Sequence, residues 1–236
     1  MASGGAVFRR ELFVAARTPL WYALAAGVLA ASGYLMGSDL ISRHRANVPE
    51  FVRDLSVALV VALPLLTAGA WSEERRQQTA ELLLSAPLTL GQIVAGKFAS
   101  GAVQLAALLF ASTPYALWLY RAGGVDPGGF AAGYAGLFLF GCALLAIGLL
   151  ASCLTRHLAL AAVGTYACLG LLRFLGFIGD SIGAGAAGLA LLSPLAHLHD
   201  FALGAIDLAD VVYYLSVVAC ALSLAVFVLA RRRWRA

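Results

Sequence analysis

The sequence predicts an all-α membrane protein with six transmembrane helices, and three observations predict it. Of its 236 residues, 62% are hydrophobic and only 12% charged, with a mean hydropathy of +0.89. Soluble domains carry roughly a quarter of their residues charged, and no water-surrounded core absorbs this much apolar surface. The apolar residues also fall into six runs near the length a bilayer demands, about 20 residues each. Finally, the longest charge-bearing break, residues 71–98, lies between two of those runs and contains a short helical stretch of its own. The chain reads as a single transmembrane domain, residues 1–236.

Residues 1–18 read as an amphipathic interfacial helix. Phe8, Leu12 and Ala15 or Ala16 recur on one side at helical spacing, while Arg9, Arg10 and Arg17 lie off it. That pattern suits a helix lying among anionic headgroups. It is too long and too patterned for the leading region of a cleavable signal; a frayed basic leader is the plainer alternative.

The six spans follow at residues 20–36, 55–70, 93–119, 130–154, 158–177 and 211–230. Pro19 takes a tolerated first-turn position. Pro64 kinks or loosens the second span, which is marginal in length unless flanking residues join it. Pro114 sits near the far end of the third. Cys142, Cys153, Cys168 and Cys220 lie inside apolar runs without metal-ligand spacing and read as small packing residues.

Orientation follows from the basic residues. Arg9, Arg10, Arg17, Arg75, Arg76, Lys97, Arg156, Arg231, Arg232, Arg233 and Arg235 share one side; Arg43, Arg45, Arg53, Arg121 and Arg173 share the other. Eleven against five places the termini and the 71–98 break in the cytoplasm. Trp71, Trp118, Tyr120 and Trp234, near span ends, fit an aromatic belt.

The cytoplasmic segment, residues 72–92, carries Glu73, Glu74, Arg75, Arg76 and Glu81. Residues 80–86 are good helix formers, and Leu82, Leu83 and Leu84 give that turn a broad apolar surface. Pro87 ends it. Thr89 and Gln92 then fit a capping box ahead of Ile93 and Val94. Gly91 to Lys97 also matches the first seven positions of a P-loop, but the eighth, where a hydroxyl must bind magnesium, is Phe98. No apolar strand leads into it. The glycines read instead as easing a helix into the membrane, with Lys97 at the interface, and no ATP hydrolysis is expected of this chain.

Residues 179–210 are too long for a turn and too broken for a straight span. Non-helical backbone at membrane depth survives only where protein or water satisfies it, so this region reads as an outer re-entrant helical hairpin broken at Ser193-Pro194. Within it, His197 and His199 beside Asp200 could suggest a metal site; on a helix, however, positions i and i+2 point apart, and no metal is expected. Asp207 and Asp210 fit helix N-terminal charge better than carboxylate chemistry. Arg173, inside a span, is a functional hypothesis by default, but snorkelling outward toward Asp180 accounts for it.

Two groups of residues carry a family resemblance. The acidic-basic cluster, Thr79, Glu81-Leu82-Leu83, Pro87 and Gly96-Lys97 resemble the cytoplasmic coupling segment of type-2 ABC transporter permeases. They are nearest to the branch of gliding-motility-associated and nitrous-oxide-reductase-maturation permeases. That family usually has a glycine before the threonine, where this chain has Gln78. Ser193-Pro194, His197, Phe201, Gly204, Asp207 and Asp210 through Tyr214 form the second match. The resemblance implies an elbow helix over residues 1–18 and a coupling helix whose contacts to an ATPase involve Glu73, Glu74, Thr79, Glu81, Leu82, Leu83 and Pro87. It also implies an outer hairpin built on Ser193, Pro194, His197, Gly204, Asp207 and Asp210.

The expected function is therefore a non-catalytic permease subunit of an ABC transporter, most consistent with an exporter, in the cytoplasmic (inner) membrane of a prokaryote. Its expected partners are a cytoplasmic ABC ATPase, a second permease subunit (homo- or heterodimer) and membrane lipids, with no nucleic acid. It needs no cofactor of its own; ATP and Mg belong to the ATPase. The alternative is an intramembrane enzyme using the 197–210 region, which requires His197, Asp207 and Asp210 to converge on a polar cavity. A weaker third reading is an ATP-independent channel or structural membrane component.

Overall fold

The computed structural model describes residues 4–43, 48–76, 89–123, 127–155, 157–182 and 192–233. Among these, all regular structure is helical: α1 Gly4–Arg17, α2 Pro19–Arg43, α3 Val48–Arg76, α4 Leu90–Gly123, α5 Pro127–Leu154, α6 Leu158–Ile182, α7 Pro194–Ala202 and α8 Leu208–Arg233. Six of them, α2 to α6 and α8, are long and apolar enough to cross a membrane. The chain is a multi-pass membrane protein.

The helices begin and run on for local reasons. Pro19 starts α2 and Pro127 starts α5, at positions where a missing N–H costs nothing. At the start of α4 the Thr89 N–H donates to Gln92 Oε1 at 3.2 Å, and the Gln92 N–H donates to Thr89 Oγ1 at 3.3 Å. This is the reciprocal capping box read from the sequence. The marginal second span is resolved because residues 48–54 and 71–76 join it, giving a 29-residue helix that runs through Pro64. One turn later the Thr67 hydroxyl donates to the Leu63 and Pro64 carbonyls, at 2.9 and 3.3 Å.

α5 is the central post. Its residues from Phe140 to Leu149 are buried on every side, with α3 and α8 its most extensive neighbours and α4, α6 and α7 packed around it. Small residues let the neighbours in. A Cβ on Gly136 would lie 2.5 Å from Phe201 Cβ, and one on Gly148 would collide with the Thr67 side chain. The main apolar core runs through α3, α4, α5, α7 and α8. A second cluster closes the end of the bundle that holds both termini, joining Val7, Trp71, Ile93, Val94, Leu149, Cys153, Ala225 and Leu229.

That second cluster fixes the place of α1. Val7 is buried and Phe8, Leu12 and Ala15 are half-buried, while Arg9, Arg10 and Arg17 are exposed, the two faces expected from the spacing. Among the cysteines, Cys142 and Cys153 are buried packing residues, whereas Cys168 and Cys220 face outward. Trp71 departs from the expected aromatic belt. It is fully buried, while Trp118 and Tyr120 are exposed.

Candidate functional site

Two polar junctions stand out in an otherwise apolar bundle, one at each end. The first lies at the terminal end, around Lys97. Expected at the membrane interface, Lys97 is instead buried, its side chain 2% exposed. The reason is that two other helices supply partners for its ammonium. Lys97 Nζ donates to Glu11 Oε1 of α1 at 3.0 Å and to the Ala70 carbonyl of α3 at 2.9 Å, and it lies 5.1 Å from the Trp71 ring centroid. A buried ammonium is tolerated only with such partners.

α5 joins the same junction. Ser152 Oγ donates to the Ala68 carbonyl at 2.9 Å and accepts the Trp71 N–H at 3.0 Å. The clamp thus ties the end of α3 and the start of α4, the two helices that flank residues 77–88, to α1 and α5. Thr79, Glu81, Leu82, Leu83 and Pro87 lie outside the described residues. Glu73 and Glu74 fall on the last turns of α3.

The second junction lies at the far end, where α7 meets α8. Ser193 is extended, and Pro194 occupies the first turn of α7. His197 Nδ1 and Asp210 Oδ1 are 2.6 Å apart and both side chains are nearly buried. Asp210, Tyr213 and Tyr214 stand at i, i+3 and i+4 on one face of α8. The Tyr213 ring stacks on His197 with centroids 4.0 Å apart, and Tyr214 meets it edge-on at 6.3 Å. The Tyr213 hydroxyl donates to the Leu192 carbonyl at 2.7 Å, and the Tyr214 hydroxyl to the Pro194 carbonyl at 2.6 Å. These contacts pin both the approach to α7 and its first turn against α8.

The other residues expected in an outer hairpin have different places. Gly204, with φ +87°, makes the turn after α7, where its N–H donates to the Phe201 carbonyl at 3.1 Å; only glycine adopts that backbone freely. Asp207 is exposed, and its Oδ1 accepts the Ala209 N–H at 3.0 Å. It serves the start of α8, as read from the sequence. Asp210 does not share that role alone; it is half of the buried pair. His197 and Asp210 therefore meet in a packed junction that Asp207 does not join, so the three-residue convergence required of an intramembrane enzyme is not formed. His199 stands on the other side of α7 from His197 and is exposed, as the i, i+2 spacing requires.

Glu11 and Ser152 are not among the residues expected at a site, and Tyr213 and Tyr214 enter the expectations only through the family resemblance, with no role. A signal existed for two of them: an Asp followed by two Tyr at helical spacing on the first turns of a span. The clamp had none, because Glu11 and Lys97 are 86 residues apart.

The chain can be compared with known proteins on this basis. A family model described as ABC-2 family transporter protein matches residues 54–216, which include Lys97 and all of the far junction. No curated protein matches the chain.

Proposed function

The chain belongs to the ABC-2 family of transporter proteins, which are membrane permeases of ABC transporters, and on that premise we propose that it is the non-catalytic subunit of an exporter. A separate cytoplasmic ATPase binds ATP and Mg, closes, and pushes the helix at residues 79–86. The spans then tilt to open the far end. Both termini and residues 72–92 face the cytoplasm of a prokaryote, and residues 179–210 form a re-entrant hairpin over the outer end of the pathway. Its branch is that of the gliding-motility and nitrous-oxide-reductase-maturation permeases.

The family match over well over half of the chain carries this reading. The clamp supports the coupling step. A push on a loop tilts helices only if the loop's two anchors move as one body, and Glu11, Lys97, the Ala70 carbonyl and Ser152 join those anchors. α1 is then the elbow helix, braced against the stroke. A second permease subunit would cover exposed faces of α2 and α8, the two spans least buried within this chain.

Leu82 and Leu83 supply the apolar contacts to the ATPase in this mechanism, each worth about 1.5–3 kcal/mol on burial. Glu81 orients the docking more than it strengthens it. Replacing Leu82 and Leu83 with Ser is expected to release the ATPase while the spans stay inserted. Copurification and ATP hydrolysis in lipid measure this. Unchanged binding and stimulation in the double variant would refute the coupling role.

A further inference from the structure

At the far end of the bundle, α3, α6 and α7 stand apart and leave a cleft of about 780 Å³. Val52, Leu198, Ser56 and Ser193 are its buried lining, the exposed Phe174 and Phe177 flank it, and Glu50, Arg53, Arg173 and His199 also line it. Arg53 has a side chain 60% exposed, and its ion pair with Asp54 is long, at 3.8 Å. Arg173 is exposed on α6 and lines the cleft; no hydrogen bond or ion pair holds it among the described residues. On sequence grounds it snorkels outward toward Asp180, whose side chain lies outside the described residues.

Depth identifies what such a cleft meets. At 1.5 Å per residue, Arg53 lies about 27 Å from Trp71 along α3, and Arg173 about 22 Å from Leu158 along α6. Trp71 and Leu158 belong to the terminal end. In a hydrocarbon core about 30 Å thick, both guanidinium groups therefore reach the boundary between acyl chains and headgroups of the opposite leaflet. The cleft extends inward past them to Ser56 and Gly170, into the acyl region.

We propose that this cleft binds an anionic amphiphile, a phosphate-bearing lipid of the far leaflet. Arg53 and Arg173, snorkelling outward, hold its phosphate, and Phe174, Leu195 and Leu198 receive the first methylenes of its acyl chains. Glu50 faces two guanidinium groups there, and Asp54, buried and 3.8 Å from Arg53, leaves that head 60% exposed, so the cleft favours a negative headgroup. The planar, forked donors of arginine match phosphate geometry. The apolar side chains of the lining select an amphiphile over a free anion. The site rests only on the chain spanning a membrane, so it stands or falls independently of the ATPase coupling and of the transported substrate.

The test uses the full-length chain in phosphatidylcholine nanodiscs doped with photoreactive phosphatidylglycerol, with crosslinked peptides mapped by mass spectrometry. Labelling is expected on the stretches 170–177 of α6 and 195–202 of α7, well above that from photoreactive phosphatidylcholine. Arg53→Gln and Arg173→Gln should each lower it about fivefold, and the double variant about thirtyfold, from the attraction a basic residue exerts on anionic lipid. Arg173→Lys should retain most of it. If the double variant does not fold, the contrast between Arg173→Gln and Arg173→Lys decides. Equal labelling by both headgroups, or labelling indifferent to the arginines, would overturn the site. Displacement by millimolar inorganic phosphate would overturn the amphiphile and leave a small-anion site, whereas a failure of phosphate to compete supports the lipid.

Discussion

Removing Glu11 should destabilise the protein more than removing Lys97, although the two form one ion pair. Lys97 is 2% exposed and Glu11 22% exposed at the side chain. Glu11→Ala removes a carboxylate 3.0 Å from the buried ammonium, which keeps its contacts to the Ala70 carbonyl and the Trp71 ring. Breaking a buried pair by deleting one partner costs about 3–5 kcal/mol, and the partial exposure of Glu11 points to the lower end, about 3 kcal/mol. Lys97→Met removes the buried charge itself and nearly preserves side-chain volume. The carboxylate left behind turns to water, so the lost hydrogen bonds to Glu11 and Ala70 are set against a cancelled desolvation, at a cost of about 1–2 kcal/mol. The double variant should resemble Lys97→Met and be more stable than Glu11→Ala alone, a non-additive cycle. Thermal unfolding of the four proteins in nanodiscs, followed by tryptophan fluorescence, measures it. About 2–4 °C per kcal/mol is the sensitivity for a chain of this length. Lys97→Met costing as much as Glu11→Ala, or the two effects simply adding, would show that Lys97 is not held as a buried cation.

The far junction should behave likewise. His197→Phe strands the Asp210 carboxylate, one oxygen of which already lacks a partner among the described residues, and should speed hydrogen exchange across residues 194–202; adding Asp210→Leu should restore part of the protection. Gly136→Ala forces a methyl to within 2.5 Å of Phe201 Cβ and is expected to cost about 1–3 kcal/mol, read as a lowered unfolding temperature. For the proposed orientation, single cysteines at positions 47 and 126 should label from outside intact cells and one at position 78 should not. The reverse pattern would invert the topology.

What the sequence disclosed was what local chemistry decides. The capping box at Thr89 and Gln92 needs only four consecutive residues, and the opposed directions of His197 and His199 need only the helical period. The six spans follow from composition and length alone. Lys97 was misplaced because a lysine near a span end ordinarily snorkels, and the carboxylate that holds it inside comes from α1. Asp210 was read as dipole charge because its true partner lies across a turn, on α7. Trp71 was assigned to the interface by its position near a span end; α1, α4, α5 and α8 bury it, and no local pattern reports a fourfold convergence. Both junctions are tertiary facts.

The central post has a consequence for how the protein is made. α5 is the most apolar of the six spans and also the most buried, whereas α2 is the least apolar and the least buried. In water these rankings would coincide for a single reason, since the force that buries a residue is the one that makes it apolar. In a bilayer they part, because lipid is as apolar as the protein interior and greasiness gives one helix no preference for another. The apolar character of α5 therefore acts earlier, when the nascent segment leaves the insertion machinery and must enter the membrane unaided. Its glycines act later, when the other helices gather round it. A polar substitution on α5 should accordingly show first as a failure of biogenesis, before any loss of fit in the finished bundle.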